Sequence, residues 1–355
     1  MKSNAELMPL PASRVPTFAG AFAALLAAAL PTAPVVAGFY DPFKLTTPLM
    51  GADGPRALPW ELYRDRLSDV LRLGDPVQPS KLRLAAIERR DALLARGRSL
   101  SADELSELGL LQWRLREPEK ALETLMRAKA ADPRGFWPLA NLGALFFATG
   151  QLQEAESHQG ASMAAFPSPW PEKPAEGAWY RAAEKAQLQL LRARLAESGA
   201  RPTNRSRPVT EVDPLFPVRF VGSSGEYEAG RIADAERDKI PPNAIAQVQQ
   251  LLLWFPEDTR LLWLLGELYN AAGDLRAADQ VFDDCVGSRR FESPTLREHR
   301  RIVKAAIAAQ VPVETPRESF LPNQITFWTV GLVIGGVIVT LVLLQFREIR
   351  RRFRG

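Results

Sequence analysis

The chain has 355 residues, 46 % of them hydrophobic, which is ample for a packed core divided among one to three domains. Its formal charge of +4 is concentrated at the two ends. Residues 347–355 carry five Arg and one Glu, and residues 1–37 carry Lys2, Glu6 and Arg14, so the body between them has a net charge of −1 and no overall electrostatic footprint for nucleic acid. A single cysteine, Cys285, excludes an intrachain disulfide and a thiolate metal cluster, and the two histidines, His158 and His299, are far apart in the chain.

The N-terminal 37 residues read as a signal peptide. Residues 15–40 contain no charge, and an Ala- and Leu-rich run from Phe18 to Leu30 follows a short stretch with Lys2 and Arg14. Pro31 and Pro34 break any helix there. Val35 and Ala37 then supply small residues for a cut after Ala37. If the segment is retained, it becomes a second anchor.

Residues 38–98 are a Pro-rich segment followed by a helical pair. Trp60, Tyr63, Leu67 and Val70 fall on one helical face of 59–73, and a second helix is expected over 80–96 with Gly97 after it. Over 99–168 a period of 34 residues emerges. Gly109 and Gly143, Ala121 and Ala155, and Pro133 and Pro167 are each 34 apart. Each unit reads as two helices, the first with a Leu-Gly pair and the second with a small residue where the helices cross. Residues 169–222 are an insertion, predicted as a helix over 176–197 followed by an exposed extended linker over 199–219. A degenerate unit then leads into the clearest one within 223–290. The clear unit carries Leu262, Leu265, Gly266, Tyr269, Gly273, Asp274, Ala278 and Phe282. The weak unit's first helix is expected near 227–237, without the Leu-Gly pair. A capping helix over 291–310 and a linker over 311–324 complete the body.

Residues 325–346, Ile325 to Phe346, are 22 residues without a charge, long enough at about 1.5 Å per residue to cross a hydrocarbon core of about 30 Å. Phe327 and Trp328 mark one edge, and the Arg-rich tail 347–355 follows the other and is expected to stay in the cytoplasm. Both ends therefore predict one topology: a single-pass protein of the cytoplasmic membrane, its body extracytoplasmic. Gly331 and Gly335 lie one turn apart in this span, a spacing that allows two membrane helices to pack closely and form a homodimer, or to dock another protein's helix.

The repeat positions resemble the tetratricopeptide repeat family, in which Gly and Ala let paired helices approach and larger residues fill the space beside them. The resemblance implies an all-α solenoid of helical hairpins, with the first helices of successive units lining a groove for another protein or peptide. By position the first unit presents Trp113 and Arg114 there. The second presents Trp137, Asn141 and Phe147, and the third Arg260, Trp263 and Asn270. Trp and Arg are the types that dominate interface energies. Of the Lys/Asn clamp that some family members use for acidic C-terminal peptides, only Asn141 and Arg260 have counterparts of the right type.

No motif for a nucleophile, a metal or a phosphate is visible. His158 and His299 read as surface residues, Cys285 as a compact core residue and Asp283-Asp284 as a solvated face. The expectation is a non-catalytic interaction scaffold that needs no cofactor. An assembly subunit of a larger membrane complex is the alternative, and a helical glycan-processing enzyme is a distant third.

Overall fold

The computed structural model describes residues 49–51, 54–168, 174–200 and 211–309. The expected signal peptide, the membrane span with Gly331 and Gly335, and the basic tail lie outside them. Among the described residues no helix is long and apolar enough to cross a membrane. The described residues up to Val303 belong to one compact unit, and 304–309 to a second.

The described chain is all-α apart from a two-stranded antiparallel hairpin, β1 (Leu49–Gly51) with β2 (Gly54–Arg56). Helices form at both positions expected in the N-terminal segment, α1 (Trp60–Arg72) and α2 (Lys81–Ala95), with Ser80 capping α2 through the Arg83 amide; α1 packs on the later helix 244–254 and α2 on the helix that follows it. Trp60, Tyr63, Leu67 and Val70 are the buried face of α1, as their spacing predicts.

The 34-residue period corresponds to two helical hairpins, α3 (Ala102–Arg114) with α4 (Pro118–Ala131) and α5 (Phe136–Ala148) with α6 (Leu152–Ala164). A Ser101–Glu104 capping box starts α3. The small residues do what their positions suggest. A Cβ on Gly109 would stand 2.6 Å from Leu125 Cγ, and one on Gly143 would stand 2.9 Å from Gln159 Oε1. Ala121 and Ala155 are fully buried at the same crossings. The turns repeat as well: the amides of Glu117 and Gln151 bond back to the carbonyls of Gln112 and Phe146, six residues spanned in each case.

Beyond them runs α7 (Pro174–Ala200), longer than expected, packed on α6. The linker departs from expectation. Residues 201–210 are outside the described set, but in 211–219 Asp213, Leu215 and Phe216 are buried, because two apolar side chains and a charge-paired carboxylate give that stretch reasons to dock. The weak unit's first helix shrinks to a single turn, α8 (Asp234–Arg237), the rest of 211–233 being loop; without a Leu-Gly pair it has no close crossing to stabilise a longer helix. Its second helix, α9 (Ala244–Trp254), is well formed. Then follow α10 (Thr259–Ala271), α11 (Leu275–Asp283), a π turn (Asp284–Ser288) and α12 (Pro294–Ala309). Gly266 meets the ring of Phe282, to which an added Cβ would stand 2.5 Å. Cys285 is buried in the π turn, and burial pushes its thiol pKa far up, so it is an inert core residue.

Long-range contacts tie the two repeat blocks together. α9 packs against α1, α7 and α10. The side chain of Gln249 accepts from the Leu58 amide and donates to the Leu58 carbonyl, both at 2.8 Å, while the Tyr63 hydroxyl donates to the Gln249 carbonyl.

Candidate functional site

The ends of several helices converge on a cleft of about 300 Å³. The C-terminal ends of α1, α3, α5 and α9 all point into this region, each bringing the partial negative charge of its last carbonyls. Arginines answer that field. Arg114 donates to the Leu253 carbonyl at 3.0 Å, near the last turn of α9, although 139 residues separate the two. Arg194, from α7, lies with its guanidinium carbon 4.9 Å from the centre of the Phe147 ring. Phe147 in turn packs edge-on against Phe255, with ring centroids 4.5 Å apart. Trp113 is half-buried on the cleft wall.

Arg116 occupies the rim in an unusual backbone state. Its φ is 68°, the left-handed region that Gly150 and Gly273 occupy at the ends of α5 and α10 with φ of 77° and 84°. Its guanidinium pairs with Glu257 from the α9–α10 loop, one bond measuring 3.1 Å, and that pairing holds the Glu257 carboxyl below the ordinary range. The side chain also passes over Gly74, where a Cβ would collide with Arg116 Nε.

An ion cluster backs the cleft. Arg194 makes a two-pronged bond to Asp213, at 2.9 and 2.5 Å, and reaches Asp258 at 2.8 Å. Burial alone would depress Arg194, but the Asp258 and Asp213 charges more than offset it and hold the guanidinium charged. Arg260 extends the cluster through two 3.0 Å bonds to Glu197 and a 3.6 Å approach to Asp213. Asp258 meanwhile caps α10 by accepting from the Leu261 amide.

The eight residues assigned to a groove therefore divide. Trp113, Arg114 and Phe147 meet in the cleft. Trp137 and Asn141 are buried, the Asn141 amide donating to Ser106 Oγ at 3.0 Å and so pinning α5 to α3. Arg260, Trp263 and Asn270 share a face of α10 that segment 211–230 covers. Arg260 donates to the Glu211 carbonyl, and Asn270 accepts from the Gly230 amide at 2.8 Å. Trp263 is 1 % exposed and donates through Nε1 to Glu267. Six of the eight are buried, so the face they share is not an open trough at those positions.

Sequence reasoning missed Arg116, Arg194, Asp213, Phe255 and His299. For Arg116 a signal existed: it stands 34 residues before Gly150, a non-glycine where the repeat has glycine. His299 departs from its surface reading. Its Nδ1 lies 2.7 Å from the buried carboxylate of Glu267, and its ring stacks on Tyr227 at 3.6 Å. Compared with known protein families and with curated proteins, the chain matches none.

Proposed function

We propose that the chain is a non-catalytic protein-interaction scaffold of the tetratricopeptide type, held at the extracytoplasmic face of the cytoplasmic membrane by Ile325–Phe346. The repeated glycine–alanine crossings and left-handed turns at 34-residue intervals support the family reading. The observation that carries the function is the cleft, which collects Trp113, Arg114, Arg116 and Phe147 at the junction of the repeat blocks. Large rings and planar donors in a part-desolvated pocket are what anchors a partner's side chains, and about 300 Å³ admits one or two of them.

The test is capture of a partner by the full chain in detergent, followed by affinity measurement with variants; a stable partner of constant stoichiometry favours the assembly-subunit reading instead. Trp113→Ala is expected to weaken binding by about 2 kcal/mol, close to thirtyfold, with the melting temperature nearly unchanged. Undiminished binding by both Trp113→Ala and Arg116→Ala removes the cleft from the reading. For topology, protease added to spheroplasts is expected to digest the body and spare the tail; a protected body overturns the anchoring.

A further inference from the structure

Residues 217–231 cross the face shared by α10 and α12 as a strap without helix or strand. Leu215 and Phe216 anchor it at one end and Ile232 at the other, all three buried. Among the described residues 217–231, Gly222 alone is buried. A cavity of about 730 Å³ lies beneath, with the strap as one wall and α10 and α12 as the other. The strap keeps its shape through its own bonds. The Gly222 amide donates to the Glu226 carbonyl at 2.7 Å, and the Ala233 amide to the Val221 carbonyl at 2.9 Å. Its hold on α10 is of another kind. Asn270 donates to the Glu228 carbonyl at 3.1 Å and accepts from the Gly230 amide at 2.8 Å, so one side-chain amide reads two main-chain groups. Just upstream, Arg260 donates to the carbonyls of Glu211 and Val212, at 3.0 and 3.4 Å. A segment with so little buried surface, laid over a cavity, belongs to the low end of local stability and opens without the helices beneath it.

The strap is seated as a bound peptide is seated, with main-chain bonds for hold and a side-chain site for selection. Two features select. The Tyr227 ring stacks on His299, with centroids 3.6 Å apart and planes 9° from parallel. Its hydroxyl reaches the Glu267 carboxylate, which Trp263 Nε1 and His299 Nδ1 also hold, at 2.5 and 2.7 Å. Three residues on, Gly230 has a φ of 71°, the left-handed state that glycine adopts most readily, and a Cβ there would stand 3.4 Å from Leu275 Cδ2. Asn270, Trp263, Glu267 and His299 belong to α10 and α12 and remain when the strap lifts. We infer that residues 217–231 are a built-in occupant of a peptide-docking face, and that a partner protein's non-helical segment takes their place, with a tyrosine for Tyr227 and a glycine three residues later for Gly230. Strap and partner compete for one Asn270 and one ring site, so the resting chain masks the face and lowers its apparent affinity by the fraction of chains that are open.

The test uses the full chain in detergent and a fluorescein-labelled peptide of residues 223–232, followed by anisotropy. Tyr227→Ala in the chain takes the strap's ring out of the site and is expected to tighten peptide binding at least about tenfold over the natural chain. In that background Asn270→Ala is expected to weaken binding at least about tenfold, as is alanine for the peptide's tyrosine. Equal binding by the natural chain and Tyr227→Ala overturns the inference. So does absence of saturable binding to the variant, or equal binding of the alanine peptide. Hydrogen exchange on the natural chain is an independent measure. The strap's amides, Gly230 among them, are expected to exchange at least about tenfold faster than those of α10, and excess peptide to quicken them further by displacing the strap. If Tyr227→Ala fails to fold, exchange decides: strap amides as protected as those of α10, or unmoved by the peptide, overturn the inference. Trp113→Ala, in the cleft, shares no lining residue with this face and is expected to leave peptide binding unchanged, so the strap and the cleft fail separately.

Discussion

Arg116 holds a left-handed backbone at a position where the chain elsewhere uses Gly150 and Gly273. A side chain there costs about 1–2 kcal/mol, and an exposed ion pair such as that with Glu257 returns at most about 1. Arg116→Gly should therefore leave stability unchanged or raise it by up to about 1 kcal/mol, as read by denaturant midpoint, while weakening partner capture. A clear loss of stability would mean that Arg116 serves the fold instead. The pair also predicts a pH dependence. Glu257 is depressed in the folded chain, first by its bond to Arg116, so its contribution is full above the unfolded value of 4.5 and is lost as pH falls through the lower folded value. The stability difference between the natural chain and Glu257→Gln should shrink to nothing over that acid window; a difference that grows on acidification would contradict the assignment. At this scale the sequence was partly legible. The left-handed glycines could be read from the repeat, because only backbone geometry was needed. The partner of His299 could not, since Glu267 is 32 residues away and only the docking of α12 on α10 joins them.

The helical hairpins were legible for a related reason: their contacts are local and follow one pattern, 34 residues apart in the first two units and met again in the last, so Leu108-Gly109, Leu142-Gly143 and Leu265-Gly266 announce the crossings before any fold is known. Gly266→Leu should cost at least about 1–3 kcal/mol, because the first added carbon already overlaps the Phe282 ring. Gly160 is the control. It lies in α6 with nothing within 4 Å of an added Cβ, so Gly160→Ala should stabilise by about 0.5–1 kcal/mol through helix propensity. Thermal melts that rank the two variants the other way would show that the hairpin crossings are wrongly placed. Segment 211–219 was not legible, because its docking rests on a buried charge pair and two isolated apolar side chains rather than on a period. Asp213 has no exposed side-chain surface and is bound by Arg194 from the far side of the insertion. Asp213→Ala would strand the Arg194 guanidinium beside Asp258 alone and should cost about 3 kcal/mol, with 211–219 becoming protease-sensitive.

In an open solenoid each unit touches only its neighbours, so stability is nearly a sum of local terms and the ends fray first. The described residues up to Val303 depart from that rule. The Gln249 side chain binds both backbone groups of Leu58, 191 residues earlier, and its amide also donates to the Tyr269 hydroxyl at 2.9 Å. Tyr63 and Arg114 reach the carbonyls of Gln249 and Leu253 from the N-terminal block. Trp60 packs against Tyr269 with ring centroids 6.3 Å apart. These links make α1 and the cleft depend on α9, and α9 on both blocks, so the blocks should unfold together. Gln249→Ala leaves the Leu58 amide without its acceptor and the Leu58 carbonyl with only the Tyr269 hydroxyl, at 3.5 Å, at a cost of about 1–3 kcal/mol. The expected result is one urea transition, followed coincidently by circular dichroism and tryptophan fluorescence, whose midpoint moves to lower urea with its slope kept. If the substitution instead splits off an early phase while the rest of the transition stays in place, the N-terminal block is an independent unit, and the cleft between the blocks opens without unfolding either one.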